Sequence, residues 1–187
     1  MPQPVLRTAR LHLLPLADEH LELEVELDAD PAVMRYLEPR PRTRERVTES
    51  HRRRLGVATE APGLGFWVGF LDGDFVGWWL LDVVRDDDQR PVAGQAELGY
   101  RLLPRWWRRG LASEGARELL RYAFTDLGLS RVIAQTMAVN AGSRATMAAV
   151  GMTHVRDSTE VLDEPVAGAE HGEVEYAITA DEHRAQA

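Results

Sequence analysis

The sequence contains no cysteine. Disulfides, thiolate metal sites and a cysteine nucleophile are therefore excluded. It contains no lysine either, so all 22 basic side chains are arginine; we read this bias as the mark of a GC-rich genome, not as a functional demand. No run approaches the roughly 18 apolar residues of a membrane span. The opening Met1-Pro2-Gln3-Pro4 has no charged segment followed by an apolar one, which argues against a signal peptide. The cytoplasm is the expected location, with no membrane partner. The six histidines are scattered without ligand spacing, so no metal is assigned.

What is present is enough for one domain. A chain of 187 residues can bury roughly 70% of its unfolded surface without a metal or disulfide. The net charge of -8 repels nucleic acid and leans toward a cationic partner. A nucleic-acid module using the arginine runs at 40–54 and 101–109 ranks far behind for that reason. The run at 40–54 reads as a solvated helix face.

The hydrophobic patterning gives a strand at Leu11–Leu16, then a helix over 19–28 with Asp18 as its N-cap. Asp30-Pro31 opens a short helix, and Thr43 caps another running to about Ala58. Strands at 64–71 and 74–83 flank the hairpin signal Asp72-Gly73. A polar loop covers 85–91, and a strand over 93–102 closes at Pro104. Next comes a helix with apolar residues at Ala112, Ala116, Leu119, Leu120, Ala123, Phe124 and Leu127, ended by Gly128. A strand at 131–138, a helix at 141–150 capped by Asn140, and strands at 152–162 and 173–179 complete the order. This is an α/β (α+β) pattern, a central sheet of about seven strands flanked by helices.

The unit from Ala93 to Leu127 carries a candidate anion site. A strand ends at a glycine-containing turn that opens into a long helix, whose first N–H groups lack intrahelical partners and sit at the positive end of its dipole. Gly110 and the small Ala112 let a phosphate approach the backbone, and Arg105, Arg108 and Arg109 add positive charge. A plain turn with a solvated arginine cluster fits the same residues, so local pattern alone leaves both readings open.

Five segments in register resemble the GNAT superfamily of N-acetyltransferases, in particular its ribosomal-protein branch. Trp107-Arg108-Arg109-Gly110-Leu111-Ala112 resembles the family's acetyl-CoA loop, Gln/Arg-x-x-Gly-x-Gly/Ala, with Arg108 where a glycine is usual. Leu6-Arg7-Thr8-Ala9-Arg10-Leu11, Pro31–Leu37, Glu97-Leu98-Gly99-Tyr100 and Asn140-Ala141-Gly142-Ser143-Arg144 resemble its opening, early helix, fourth strand and late helix. The likeness runs over about 6–180 and implies a single acetyl-CoA-binding domain, 1–187, with a mixed sheet splayed between the fourth and fifth strands.

The resemblance also implies direct acetyl transfer from acetyl-CoA to a primary amine, a protein N-terminal α-amine or a small cationic amine, without an acetyl-enzyme. It assigns Glu97 as base and Ser143 as acid toward the thiolate, because the tyrosine many relatives carry four residues later is here Met147. The main chain of Tyr100 is expected at the thioester carbonyl and that of Leu102 at the pantetheine arm. Trp107, Arg108, Arg109, Gly110, Leu111 and Ala112 are expected at the pyrophosphate, and Asn140 at a pantetheine amide. Read without the resemblance, Glu97 is a half-exposed strand residue, and Ser143 and Asn140 serve only their own helix. Acidic Glu45 and Glu49 are expected to help hold a cationic acceptor, and a homodimer is allowed for. An acyl-CoA-binding domain without catalysis is the alternative, motivated by Arg108 and Met147.

Overall fold

A computed structural model of the chain describes residues 2–158 and 166–186. Among these, eight strands form one sheet: β1 (Leu6–Arg7), β2 (His12–Pro15), β3 (Gly65–Leu71), β4 (Asp74–Arg85), β5 (Pro91–Leu102), β6 (Arg131–Met137), β7 (Thr153–Ser158) and β8 (Glu173–Thr179). Their spatial order is β1-β2-β3-β4-β5-β6-β8-β7. All neighbours are antiparallel except β5 and β6, which run parallel. The strand beyond the seven expected is β1, two residues long and too short for an alternating pattern. The end of the strand expected over 152–162 lies outside the described residues after Ser158.

Six α-helices accompany the sheet among the described residues: α1 (Leu21–Asp28), α2 (Pro31–Met34), α3 (Arg44–Glu60), α4 (Leu111–Arg121), α5 (Ala141–Ala149) and α6 (Ala180–Ala185). Several boundaries follow the expected caps. The Asp30 carboxylate accepts from the Ala32 N–H at 2.8 Å, Thr43 from Arg46, and Asn140 from Ser143. Asp18 is not an N-cap. It lies inside a 3₁₀ turn that opens at Ala17 and carries no side-chain cap; His20 Nδ1 instead accepts from the Ala17 N–H at 3.0 Å.

The two faces of the sheet bury separate cores. On one, Trp67, Trp79, Leu81, Leu98 and Leu102 pack with Leu119 and Leu120 of α4 and Met147 of α5. On the other, Phe66, Val68 and Trp78 pack with Leu27 of α1. Adjacent Trp78 and Trp79 thus serve opposite faces, as strand alternation requires. Helix α4 lies very close to the first face: a Cβ on Gly115 would stand 2.4 Å from the Trp79 ring. The Trp79 Nε1–H donates to Ala112 O at 3.1 Å and fixes the helix's first turn.

A buried ion cluster ties the second face together. Asp28, fully buried, bonds Arg54 of α3 and Arg101 of β5, and Glu24 bonds Arg54 and His51. The arginine run at 40–54 is therefore not wholly a solvated face. Arg54 turns inward because Glu24 and Asp28 of α1 supply the countercharge that makes its burial affordable.

Candidate functional site

The site begins where β5 and β6 part. Their register covers only Gln95↔Arg131, Ala96↔Val132 and Glu97↔Ile133. Beyond that point β6 continues with β8 as far as Met137, while β5 continues with β4 as far as Leu102. A wedge opens between them, as the splay expected between the fourth and fifth strands required.

The main chain facing the wedge can be assigned. The Leu103 N–H donates to Val76 O at 3.0 Å, which sets the phase of the antiparallel ladder. Alternation then turns the N–H and C=O of Tyr100 and Leu102 away from β4 and toward the gap. The Trp107 indole donates to Leu102 O at 2.7 Å, in keeping with that phase, and leaves the Leu102 N–H facing the gap.

At the wide end of the wedge lies the start of α4. Gly110 is its N-cap at φ +76°, and no side chain caps the helix. Glu114 N–H donates to Gly110 O at 3.0 Å; among the described residues the N–H groups of Leu111, Ala112 and Ser113 find no main-chain acceptor. Around Gly110 the space where a Cβ would stand meets only Arg10 Nη2, at 3.6 Å. Arg108, at φ +60°, holds a left-handed conformation that favours glycine, and its side chain is exposed. Arg109 is exposed with its guanidinium 5.0 Å from the Trp106 ring, and Trp107 is 44% exposed. Leu111 is buried and anchors the turn in the core. Free N–H groups, an open glycine and three arginines together fit a pyrophosphate.

Sequence reasoning missed one part of this loop. Glu114, in the first turn of α4, accepts from Thr8 Oγ1 at 2.5 Å, from Arg10 N–H at 2.9 Å and from Arg10 Nε at 2.6 Å. Arg10 also donates to Arg109 O at 3.1 Å. The opening segment thus latches the turn, and Arg10 offsets a carboxylate placed where an anion would arrive. Thr8 and Arg10 were visible in the opening pattern, but nothing in the sequence joins them to a residue more than a hundred positions away.

Glu97 and Tyr100 leave β5 on opposite faces. Glu97 stands half-buried beside its cross-strand neighbour Asp82. Burial, and then the carboxylates of Asp82, Glu173 and Glu175, push its carboxyl up from 4.5 to about 7. Glu175 is held by Arg131 and Arg156 at 3.3 and 2.7 Å. A depression of about 390 Å³ adjoins this face, lined in part by Gln95, Ile133, Gln135, Arg156 and Glu175. A second depression, of about 690 Å³, runs from the opening segment Thr8-Ala9-Arg10 along β2 and the end of β3 to the Asp72-Gly73 turn.

On the other face the Tyr100 ring reaches α5, where its hydroxyl lies 3.0 Å from Ser143 O and 3.2 Å from Ser143 Oγ. Asn140 accepts from the Ser143 N–H at 3.2 Å and donates to Thr136 Oγ1 at 3.1 Å. Met147 is buried in the core. Glu45 and Glu49 are exposed on α3. Glu97, Tyr100 and Leu102 of β5, the loop 107–112 and the start of α5 are thus grouped around one wedge. No cluster of three or more metal-ligating side chains occurs among the described residues.

Comparison with known proteins gives a consistent result. Residues 10–153 match the family described as acetyltransferase (GNAT) domain. The chain is 46% identical over 183 residues to FsC-acetyl coenzyme A-N(2)-transacetylase of Aspergillus fumigatus, covering 96% of this chain and 78% of that protein. A Salmonella typhimurium acetyltransferase that modifies the N-terminal serine of ribosomal protein L7/L12 superposes with a TM-score of 0.77 at 15% identity, over 94% of this chain and 99% of that one. RimJ of Mycobacterium smegmatis, in complex with a CoA-disulfide, superposes with a TM-score of 0.75 at 24% identity, over 96% and 87%.

Proposed function

The chain belongs to the GNAT family of acetyl-CoA-dependent N-acetyltransferases, and from that premise we propose that it acetylates a primary amine by direct attack across the wedge between β5 and β6. The observation that carries this reading is the placement of Glu97. The carboxylate sits where the β5–β6 pairing ends, on the face opposite the Tyr100 side chain, with its pKa raised to about 7. An amine entering on that face meets a base matched to neutral pH, while the thioester sulfur leaves toward Ser143.

Acetyl-CoA, when bound, supplies the activated acetyl group. The protein's own tasks then follow from geometry. The α4 turn from Trp107 to Ala112 holds the pyrophosphate with free N–H groups, and Arg108 and Arg109 add charge. The gap-facing main chain of Leu102 aligns the pantetheine arm, and the Tyr100 N–H faces the thioester oxygen, where negative charge develops. Asn140 holds the start of α5 and keeps a second amide hydrogen for the arm. Glu97 takes the ammonium proton, directly or through water, and Ser143 donates to the sulfur. The whole chain acts as one domain with its core over about 6–180, a reading supported by the single continuous sheet.

The acceptor class is a protein N-terminal α-amine or a small cationic amine. Asp82 beside Glu97 favours a cation on this face; the Aspergillus relative is named an N(2)-transacetylase, and the Salmonella neighbour modifies an N-terminal serine. The test is thiol release from acetyl-CoA over a panel of N-terminal peptides, polyamines and amino-acid amines. Amine-dependent release is the expected result; none with any amine would overturn the acceptor assignment.

A further inference from the structure

We propose that the Tyr100 hydroxyl positions Ser143 toward the departing sulfur, so that Tyr100 serves the reaction with its side chain as well as its main chain. The inference rests on the reading of Ser143 given above. Its own basis is the contact across the wedge. Tyr100 belongs to β5 and Ser143 to the first turn of α5, which follows β6. The two strands are no longer paired at this level. The bond between these side chains is a bridge over the opening that the pantetheine arm would share.

The chemistry of the two groups sets their direction. A carbonyl only accepts, so the Tyr100 hydrogen is the one that reaches Ser143 O at 3.0 Å. The same hydrogen can turn to Ser143 Oγ, at 3.2 Å. A tyrosine hydroxyl has one hydrogen, and lending it to Oγ frees the serine's own hydrogen to face the gap. A hydroxyl that accepts one hydrogen bond is polarised and becomes a stronger donor of its own.

Without that partner, a serine in a helix's first turn rotates freely or bonds its own backbone. Here the Ser143 backbone is held from one side by Asn140, and its hydroxyl from the other by Tyr100. Burial holds the Tyr100 phenol up at about 12, so it keeps its hydrogen over the working pH range. Met147, one turn further along α5, has no hydrogen to offer.

The test compares Tyr100→Phe, Ser143→Ala and the double variant, reading kcat, the amine KM and acetyl-CoA affinity. Phenylalanine keeps the ring and the main chain. Tyr100→Phe is expected to lower kcat about tenfold, as for loss of one hydrogen bond in the transition state, with KM and acetyl-CoA affinity little changed. The double variant is expected to be no slower than Ser143→Ala alone, because Tyr100 acts through Ser143. Unchanged kcat in Tyr100→Phe, or a double variant as slow as the product of the singles, overturns the proposal. Wild-type turnover in Ser143→Ala is a separate result: it removes the reading of Ser143 itself, and this proposal with it.

Tyr100→difluorotyrosine covers the case in which phenylalanine disturbs folding. It keeps the hydrogen bond while making the phenol more acidic. The alkaline limb of kcat against pH is expected to move down into the measurable range, and an unmoved limb contradicts the proposal.

Discussion

Arg108 holds φ +60°, a left-handed conformation that favours glycine. A side chain there costs about 1 kcal/mol of backbone strain, and retaining it makes sense if the guanidinium contacts an anion. Arg108→Ala and Arg108→Gly separate the two effects. Both variants should bind acetyl-CoA more weakly and to a similar degree. By thermal unfolding the glycine variant should be the more stable by about 1 kcal/mol; equal stability would mean that the strain is absent. Glu97 allows a signed prediction. Its carboxyl ionises at about 4.5 unfolded and about 7 folded, so between those values the folded state binds the extra proton. Stability is present in full below the unfolded pKa and falls as pH rises through 7. Glu97→Gln should therefore gain roughly 1–3 kcal/mol over wild type at pH 8 and nothing at pH 4. Equal gains at both pH values would point to packing instead. That Glu97 was a candidate could be read from the segment Glu97-Leu98-Gly99-Tyr100. Its raised pKa could not, because Asp82, Glu173 and Glu175 reach it from other strands.

Among the elements, α4 is the one whose placement matters most to the site. Its first turn is fixed by Trp79 from below and by Glu114 with Thr8 and Arg10 from the side. Gly115→Ala would put a Cβ 2.4 Å from the Trp79 ring, so the helix or the indole must shift. A loss of about 1–3 kcal/mol is expected in thermal unfolding, with weaker acetyl-CoA binding because the phosphate turn moves too. Unchanged stability and affinity would show that α4 is less tightly set than argued. Most elements were legible because their signals are local, such as the Asp72-Gly73 hairpin and the caps at Asp30, Thr43 and Asn140. Two were not. Helix α6 opens with a capping box, Thr179 with Glu182, but its six residues are too few for an apolar periodicity to show in the sequence. Asp18 looked like a cap, but it lies one position inside the 3₁₀ turn that Ala17 opens, where the His20 ring ties back the Ala17 N–H.

For the molecule as a whole, the proposed mechanism rests on a single change of direction in the sheet. One parallel pair, β5 with β6, sits among antiparallel neighbours and is only three residue pairs long. The wedge beyond it brings together the proposed base Glu97 from one face, the Tyr100–Ser143 hydroxyl pair from the other and, at its mouth, the α4 turn proposed to hold the pyrophosphate. The length of that pairing lay outside what periodicity can give, and its location came from family resemblance. The buried cluster of Glu24, Asp28, Arg54 and Arg101 ties α1 and α3 to β5 and keeps the Glu97 face in one piece. The central claim is that Glu97 is the base. It is tested most directly by the pH dependence of kcat/KM for an accepted amine, wild type against Glu97→Gln. Wild type should gain activity through a limb near pH 7, where Glu97 loses its proton. The variant should lose that limb and about a hundredfold or more in rate. A variant that keeps both the limb and the rate would contradict the account.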